Sequence, residues 1–251
     1  MRTPSAGKTA TSWWRAHPIA GVAVALTATV VGFGVVRAVG VEQSVDRART
    51  YWSQPRGETG GLLYVALGDS AAQGVGASRP DKGYVGLVAA QLREATGRPV
   101  QVVNLSVSGA RVSDVVENQL PRLEGLDPDV VTVAIGGNDV RAYDRDRFAA
   151  DVDRLTAGLP PGTFVADVPY FMHGRWETDS SEAADIVRRA TVASGLTVVP
   201  LHDQLRREGL RGMLTQTSGD LFHPNDRGYE IWAAAFWTEV SRSARLSPLG
   251  G

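Results

Sequence analysis

Five short apolar runs rich in β-branched residues, at 63–67, 100–104, 130–135, 163–168 and 197–201, recur along this chain with helix-patterned stretches between them. That alternation constrains the fold more than any other feature. Strands separated by helices run parallel, and a parallel sheet needs apolar cover on both faces. The helical patterns fall at 84–96, 113–123, 146–158 and 182–194, with a last one from Asn225 into the region of Ser241. The expected architecture is α/β, a three-layer α/β/α domain around a five-stranded parallel sheet. Its 251 residues suffice for one such domain with an appendage and are too few for two comfortable ones.

The appendage is amino-terminal. Ile19 to Val36 is a run of 18 residues without a charge, about 27 Å long if helical and so marginally able to cross a bilayer. Arg2, Lys8 and Arg15 precede it with no acid among them, and Trp13, Trp14, Tyr51 and Trp52 flank it. The expected division is a basic segment 1–18, a transmembrane anchor or signal-peptide helix 19–40, a stalk 41–61 marked by Pro55, Gly57, Gly60 and Gly61, a folded domain 62–245 and a tail 246–251. Ala38-Val39-Gly40 resembles a cleavage site, but Arg37 beside it and the helix-like spacing of Val41, Val45, Ala48 and Trp52 favour an uncleaved anchor. Either way the domain is expected outside the cytoplasm, at the cell membrane or secreted.

Composition removes several functions. With 26 basic and 27 acidic residues there is no field to gather nucleic acid, and with no cysteine there is neither a thiolate nucleophile nor a Cys-ligated zinc. Four scattered histidines make no metal set. Any nucleophile must be oxygen or nitrogen.

In parallel sheets ligands bind outside the carboxyl ends of the strands. There the first strand runs into Gly68-Asp69-Ser70 and on through the small residues Ala71, Ala72, Gly74 and Gly76, the second into Ser106-Val107-Ser108-Gly109, and the third into Gly136-Gly137-Asn138-Asp139. Each loop alone is ordinary turn chemistry. Together they bring Gly and polar residues to one crevice. Asp220-Leu221-Phe222-His223-Pro224-Asn225 supplies what a serine hydroxyl lacks, a base able to take its proton near neutral pH and an acid three residues away to orient that base.

These segments, in this order, resemble the SGNH hydrolases, also called GDSL esterases or lipases, over about residues 62–240. The resemblance implies a flavodoxin-like fold and hydrolysis of carboxylic esters through an acyl-enzyme, with no cofactor and no metal. It implies Ser70 as nucleophile, His223 as base and Asp220 as its partner, with the Ser70 and Gly109 amides and the Asn138 side chain as oxyanion donors. Ala71 departs from the family's motif, which has Leu there, and Ala72 departs from the Gly-x-Ser-x-Gly elbow of another lipase fold. Lipid, acetylated-sugar and small acyl esters all remain open as substrates. An acyltransferase and a non-catalytic cell-envelope binding module are the alternatives, and a monomer is expected.

Other polar residues are weaker candidates. Asp69 and Asp139 are expected to hold their turns, and Asp144 to Arg147 to start a solvated helix. His202 with Asp203 reads as a polar loop or helix cap, and His17 as juxtamembrane. The aromatic and basic loop 171–176, with His173, either lines an acyl or alcohol pocket or is an ordinary surface loop.

Overall fold

The computed structural model describes residues 40–172 and 174–243. The basic segment, the expected anchor or signal helix apart from Gly40, His17, His173 and the tail from residue 246 lie outside the described residues. Among those described, no helix is long and apolar enough to cross a membrane.

Six strands form one mixed sheet: β1 (Arg56–Gly57), β2 (Leu62–Gly68), β3 (Val100–Asn104), β4 (Val130–Ala134), β5 (Phe164–Ala166) and β6 (Thr197–Val199). Their order is β1-β3-β2-β4-β5-β6. Strands β2 to β6 pair in parallel, whereas β1 lies antiparallel on β3 with Arg56 opposite Val102. The expectation of five strands, all parallel, is thereby corrected: a two-residue edge strand is too short to show any periodicity. The chain leaves β2 for β3 on one side and then crosses to β4 on the other, so the connections diverge at the carboxyl end of β2. That is where an open α/β sheet leaves a crevice.

Alternation along the strands builds two cores. Tyr64 and Ala66 pack on one face with Val85, Val88 and Leu92 of α1 (Tyr84–Thr96) and with Trp232 and Phe236 of α5 (Asp226–Val240). Val65 and Leu67 face the other way, toward Phe148 and Val152 of α2 (Arg145–Gly158) and Ala183 and Val187 of α3 (Arg175–Ala193). Tyr84 stacks on Phe236 with centroids 4.7 Å apart, joining α1 to α5. Each such side chain, fully buried, contributes about 1.5–3 kcal/mol.

Three elements differ from the pattern read in the sequence. Where one helix is expected over 113–123, residues 112–123 form an α-helical turn, a π-helical stretch and a 3₁₀ turn; Pro121 has no N–H to continue an α-helix. The segment after β6, read as polar loop or cap at His202, is a long helix, α4 (Leu201–Gln216), bent at Gly209, where φ is 54° and ψ −145°. Two glycines and five charged side chains hide its period. Finally, the expected stalk 41–61 includes regular structure packed on the domain. Residues 40–52 are helical, Ala48 and Trp52 are buried, and the Trp52 indole Nε1 donates to the Gln73 carbonyl at 3.0 Å.

Trp52→Ala is therefore expected to lower the unfolding free energy by about 3–5 kcal/mol, the usual cost of emptying a buried tryptophan site. Urea denaturation followed by circular dichroism measures it. An unmoved midpoint would make 40–52 a mere tether.

Candidate active site

The turn after β2 is held by backbone and side-chain bonds from several elements. At Gly68, φ is 145° and an added Cβ would lie 2.2 Å from the Ala134 carbonyl oxygen, so only glycine lets β2 end this close to β4. The buried Gln119 side chain clamps Gly68 from both sides: its Oε1 accepts from the Gly68 N–H at 2.9 Å and its Nε2 donates to the Gly68 carbonyl at 2.8 Å. Nothing in the sequence singles Gln119 out, because an isolated Gln in a helical pattern reads as surface. Asn104 Nδ2 donates to the Ala72 carbonyl, Gln73 Nε2 to the Ser106 carbonyl and Tyr229 Oη to the Val75 carbonyl. Ser70 is thus presented on a turn fixed from β3, the 112–123 segment and α5.

The other half is the loop before α5, whose cap is Asn225, its side chain accepting from the Gly228 N–H. Asp220 organises it. Its Oδ1 accepts from the N–H groups of Phe222 and His223, each at 3.0 Å, and from Ser218 Oγ at 2.8 Å. Leu221 between them has φ 58°, the left-handed region that non-glycine residues rarely enter, a strain stored in this tight loop. The remaining oxygen, Oδ2, meets His223 Nδ1 at 2.5 Å, and His223 Nε2 lies 2.8 Å from Ser70 Oγ. Burial alone would raise the Asp220 carboxyl, but the hydrogen bond and charge of His223, with the Phe222 amide and Ser218 hydroxyl, hold it well below the usual carboxylate range. An ionised carboxylate at Nδ1 keeps the proton there and leaves Nε2 as an acceptor toward the serine hydroxyl.

The two halves meet through Gly76. A Cβ there would lie 2.5 Å from the Pro224 carbonyl oxygen and 2.9 Å from His223 Cβ.

Asn138 sits between the loop of Gly109 and the turn of Ser70. Its Nδ2 donates to the Ala110 carbonyl at 2.9 Å and to Asp69 Oδ2 at 3.3 Å. Neither the Ser70 N–H nor the Gly109 N–H donates a hydrogen bond to another described residue. Asp69 Oδ1 accepts from the Ala71 N–H and Asp139 Oδ2 from the Val112 N–H, so both acids hold turns. Burial raises both carboxyls, Asp69 to about 6 and Asp139 to about 7.

Ser70, Asp220 and His223 line a cavity of about 690 Å³ that extends between α4 and the loop after β5; Gly109 and Asn138 do not line it. Phe171 and Met172 from the loop after β5 and Trp176 from the first turn of α3, which begins at Arg175 and so shortens the loop expected over 171–176, form part of its wall, with Phe171 stacked on Phe222 at 5.4 Å. From α4 come Leu205, Gly209 and Met213, which sequence reasoning missed with the helix itself. His202 is a buried structural histidine. Its Nδ1 meets the Val168 carbonyl at 2.9 Å and its N–H donates to Asp167, while Asp203 pairs with Arg188. Burial lowers its affinity for a proton.

Residues 66–231 match the GDSL-like Lipase/Acylhydrolase family. Among solved structures, the fold is similar to an α/β hydrolase enzyme from the metagenome of Lake Arreo, Spain (TM-score 0.61, 24% identity, 72% of this chain and 95% of that one). It is also similar to an acetylxylan esterase from Geobacillus stearothermophilus (TM-score 0.57, 23% identity, 72% and 95%). A tRNA-2-methylthio-N(6)-dimethylallyladenosine synthase of Frankia alni is 34% identical over 67 residues, and the chain spans only 14% of its length. A match so short carries no activity across.

Asp139 makes the electrostatics testable. Its carboxyl is raised from 3.8 to about 7, so its contribution to stability is full below 3.8 and is lost as pH rises through about 7. Asp139→Asn keeps an acceptor for Val112 but removes that titration. The variant's melting temperature is expected to fall less than the wild type's between about pH 5 and about pH 8; identical slopes would remove Asp139 from this balance.

Proposed function

Because the chain belongs to the GDSL-like lipase/acylhydrolase family, we propose that it is a serine carboxylic ester hydrolase in which Ser70, His223 and Asp220 act as a triad. One observation carries this reading: the continuous line from Asp220 through His223 to Ser70 Oγ, with the hydroxyl on the wall of the cavity.

Ser70 Oγ attacks the ester carbonyl carbon as its proton passes to His223 Nε2, and Asp220 remains ionised and stabilises the imidazolium. The carbonyl oxygen then bears the negative charge. The Ser70 and Gly109 N–H groups, which donate to no other group among the described residues, donate to it, and Asn138 joins them by exchanging its long bond to Asp69 for one to the oxyanion. The tetrahedral species collapses, the alcohol leaves with the proton from His223, and a water activated by the same imidazole releases the acid.

The cavity bears on the substrate. Its volume lies within the range of about 300–1,000 Å³ typical of small-ligand sites, and Ile135, Phe171, Met172, Trp176, Leu205 and Met213 give it an apolar wall. A wall of that extent suits an ester with a long apolar acyl chain better than the acetyl group named for one of the similar structures. The uncharged run from Ile19 to Val36 supports anchoring or export, with the domain outside the cytoplasm.

Reaction with a fluorophosphonate followed by peptide mapping tests the nucleophile. Adduct is expected on Ser70 of the folded wild type, and its absence would favour the non-catalytic binding module. Asn138→Ala is expected to lower kcat by roughly 10²-fold to 10³-fold with a smaller change in KM; near-normal kcat would leave Asn138 a turn residue. In an ester series, kcat/KM is expected to rise by up to about fourfold per added methylene until the cavity is filled, the equivalent of burying one CH₂. A preference for acetyl would overturn the long-chain reading.

A further inference from the structure

The carboxyl half of α4 has two unlike faces. Gly209, Gly212 and Met213 line the cavity, while Leu210 and Leu214 on the same stretch are 58% and 65% exposed. Leu221, within the loop of Asp220 and His223, lines the cavity and is itself 45% exposed. Arg206, Arg207 and Arg211 are exposed on the same helix. The one acid after Asp203 there, Glu208, accepts a hydrogen bond from Gln216. One side of the cavity is therefore walled by a helix whose outer surface is apolar and basic.

A second observation says what that surface meets. Val41 lines the same cavity, and Ser44 Oγ accepts from the N–H of Gly76, the residue packed against His223. The segment 40–52 is thus pinned to the active site itself. Val41 lies five positions after Val36, the end of the uncharged run, and five residue steps span at most about 18 Å. If that run lies in a bilayer, the cavity is held within that reach of the lipid surface.

We propose that the outer face of α4, through Leu210, Leu214, Arg206, Arg207 and Arg211, rests on an anionic lipid bilayer, and that the cavity takes a long-chain ester directly from it. This rests on the esterase reading above and on the anchor. Exposed leucines entering the interface gain apolar burial, and the arginines gain attraction to anionic headgroups. Neither gain is open to a surface that faces water. The acyl chain then passes from lipid to an apolar wall without crossing water.

The full chain in phosphatidylcholine vesicles, with and without phosphatidylglycerol, tests this with two substrates: p-nitrophenyl butyrate in solution and p-nitrophenyl palmitate dissolved in the vesicles. Leu210→Ser with Leu214→Ser is expected to leave butyrate hydrolysis within about twofold and to reduce palmitate hydrolysis by about tenfold or more. Arg206→Gln with Arg207→Gln and Arg211→Gln should abolish the gain in palmitate rate that phosphatidylglycerol gives the wild type. Circular dichroism checks that both variants are folded. Wild-type rates on palmitate in both variants would overturn the proposal, as would leucine substitutions that dissolve a dimer without affecting palmitate, which would make the face a contact between copies. Hydrolysis of butyrate with none of palmitate by the wild type would overturn it while leaving the esterase standing. Hydrolysis of neither, with Ser70 unlabelled by fluorophosphonate, would remove the esterase reading and this one with it.

Discussion

Everything at this site depends on how closely the turn after β2 approaches the loop before α5. Ser70 and His223 are 153 residues apart in sequence, yet Nε2 and Oγ must meet at 2.8 Å. Gly76 makes that possible, because any side chain there would occupy the space of the Pro224 carbonyl and His223 Cβ. The approach is then held by bonds that cross the same seam: Ser78 to Asp226, Tyr229 to the Val75 carbonyl, and the stacking of α1 on α5 through Tyr84 and Phe236. Catalytic geometry tolerates errors of only about half an ångström. A seam tied at several points meets that requirement better than any single contact.

Asp220 shows how few residues such a loop needs when each group is used more than once. Four donors converge on one carboxylate, three of them fixing the chain path and the fourth being the imidazole it orients. The charge that holds the turn together is the charge that fixes the imidazole with Nε2 toward serine. Elsewhere the protein accepts carboxyls in unfavourable places. Asp69, Asp139 and Asp167 are all raised by burial, to about 6, about 7 and about 7, and each nevertheless accepts backbone N–H groups at the carboxyl ends of strands. Those ends are where loops must be pinned beside a cavity, and a short acid is an effective pin.

The sheet and the meeting of Ser70, His223 and Asp220 were legible because each leaves a local mark. Parallel strands buried on both faces read as apolar runs, and Gly68-Asp69-Ser70 and Asp220 to Pro224 carry chemistry within a few residues. What was illegible acts at long range or without period. Gln119 matters only because the 112–123 segment departs from a regular helix and turns its amide onto Gly68, 51 residues away. The helix α4 is broken at Gly209 and has two unlike faces, so no stripe announces it. The segment 40–52 reads as a continuation of whatever precedes it, and only burial of Trp52 and the bond from Gly76 to Ser44 tie it to the domain.

Asn138 illustrates why position in a hydrogen-bond network matters as much as identity. Its amide has two hydrogens, and both are engaged, one firmly with the Ala110 carbonyl and one at 3.3 Å with Asp69. The first bond fixes the plane of the amide. The second is the longer bond, the one that the proposed mechanism exchanges for an oxyanion beside Ser70, and Asp69 then loses a donor. Asp69 keeps the Ala71 N–H on its other oxygen. The arrangement keeps a polar donor satisfied in the resting site, and under the proposed mechanism stabilisation of the developing charge requires a change of partner and no reorganisation of the chain.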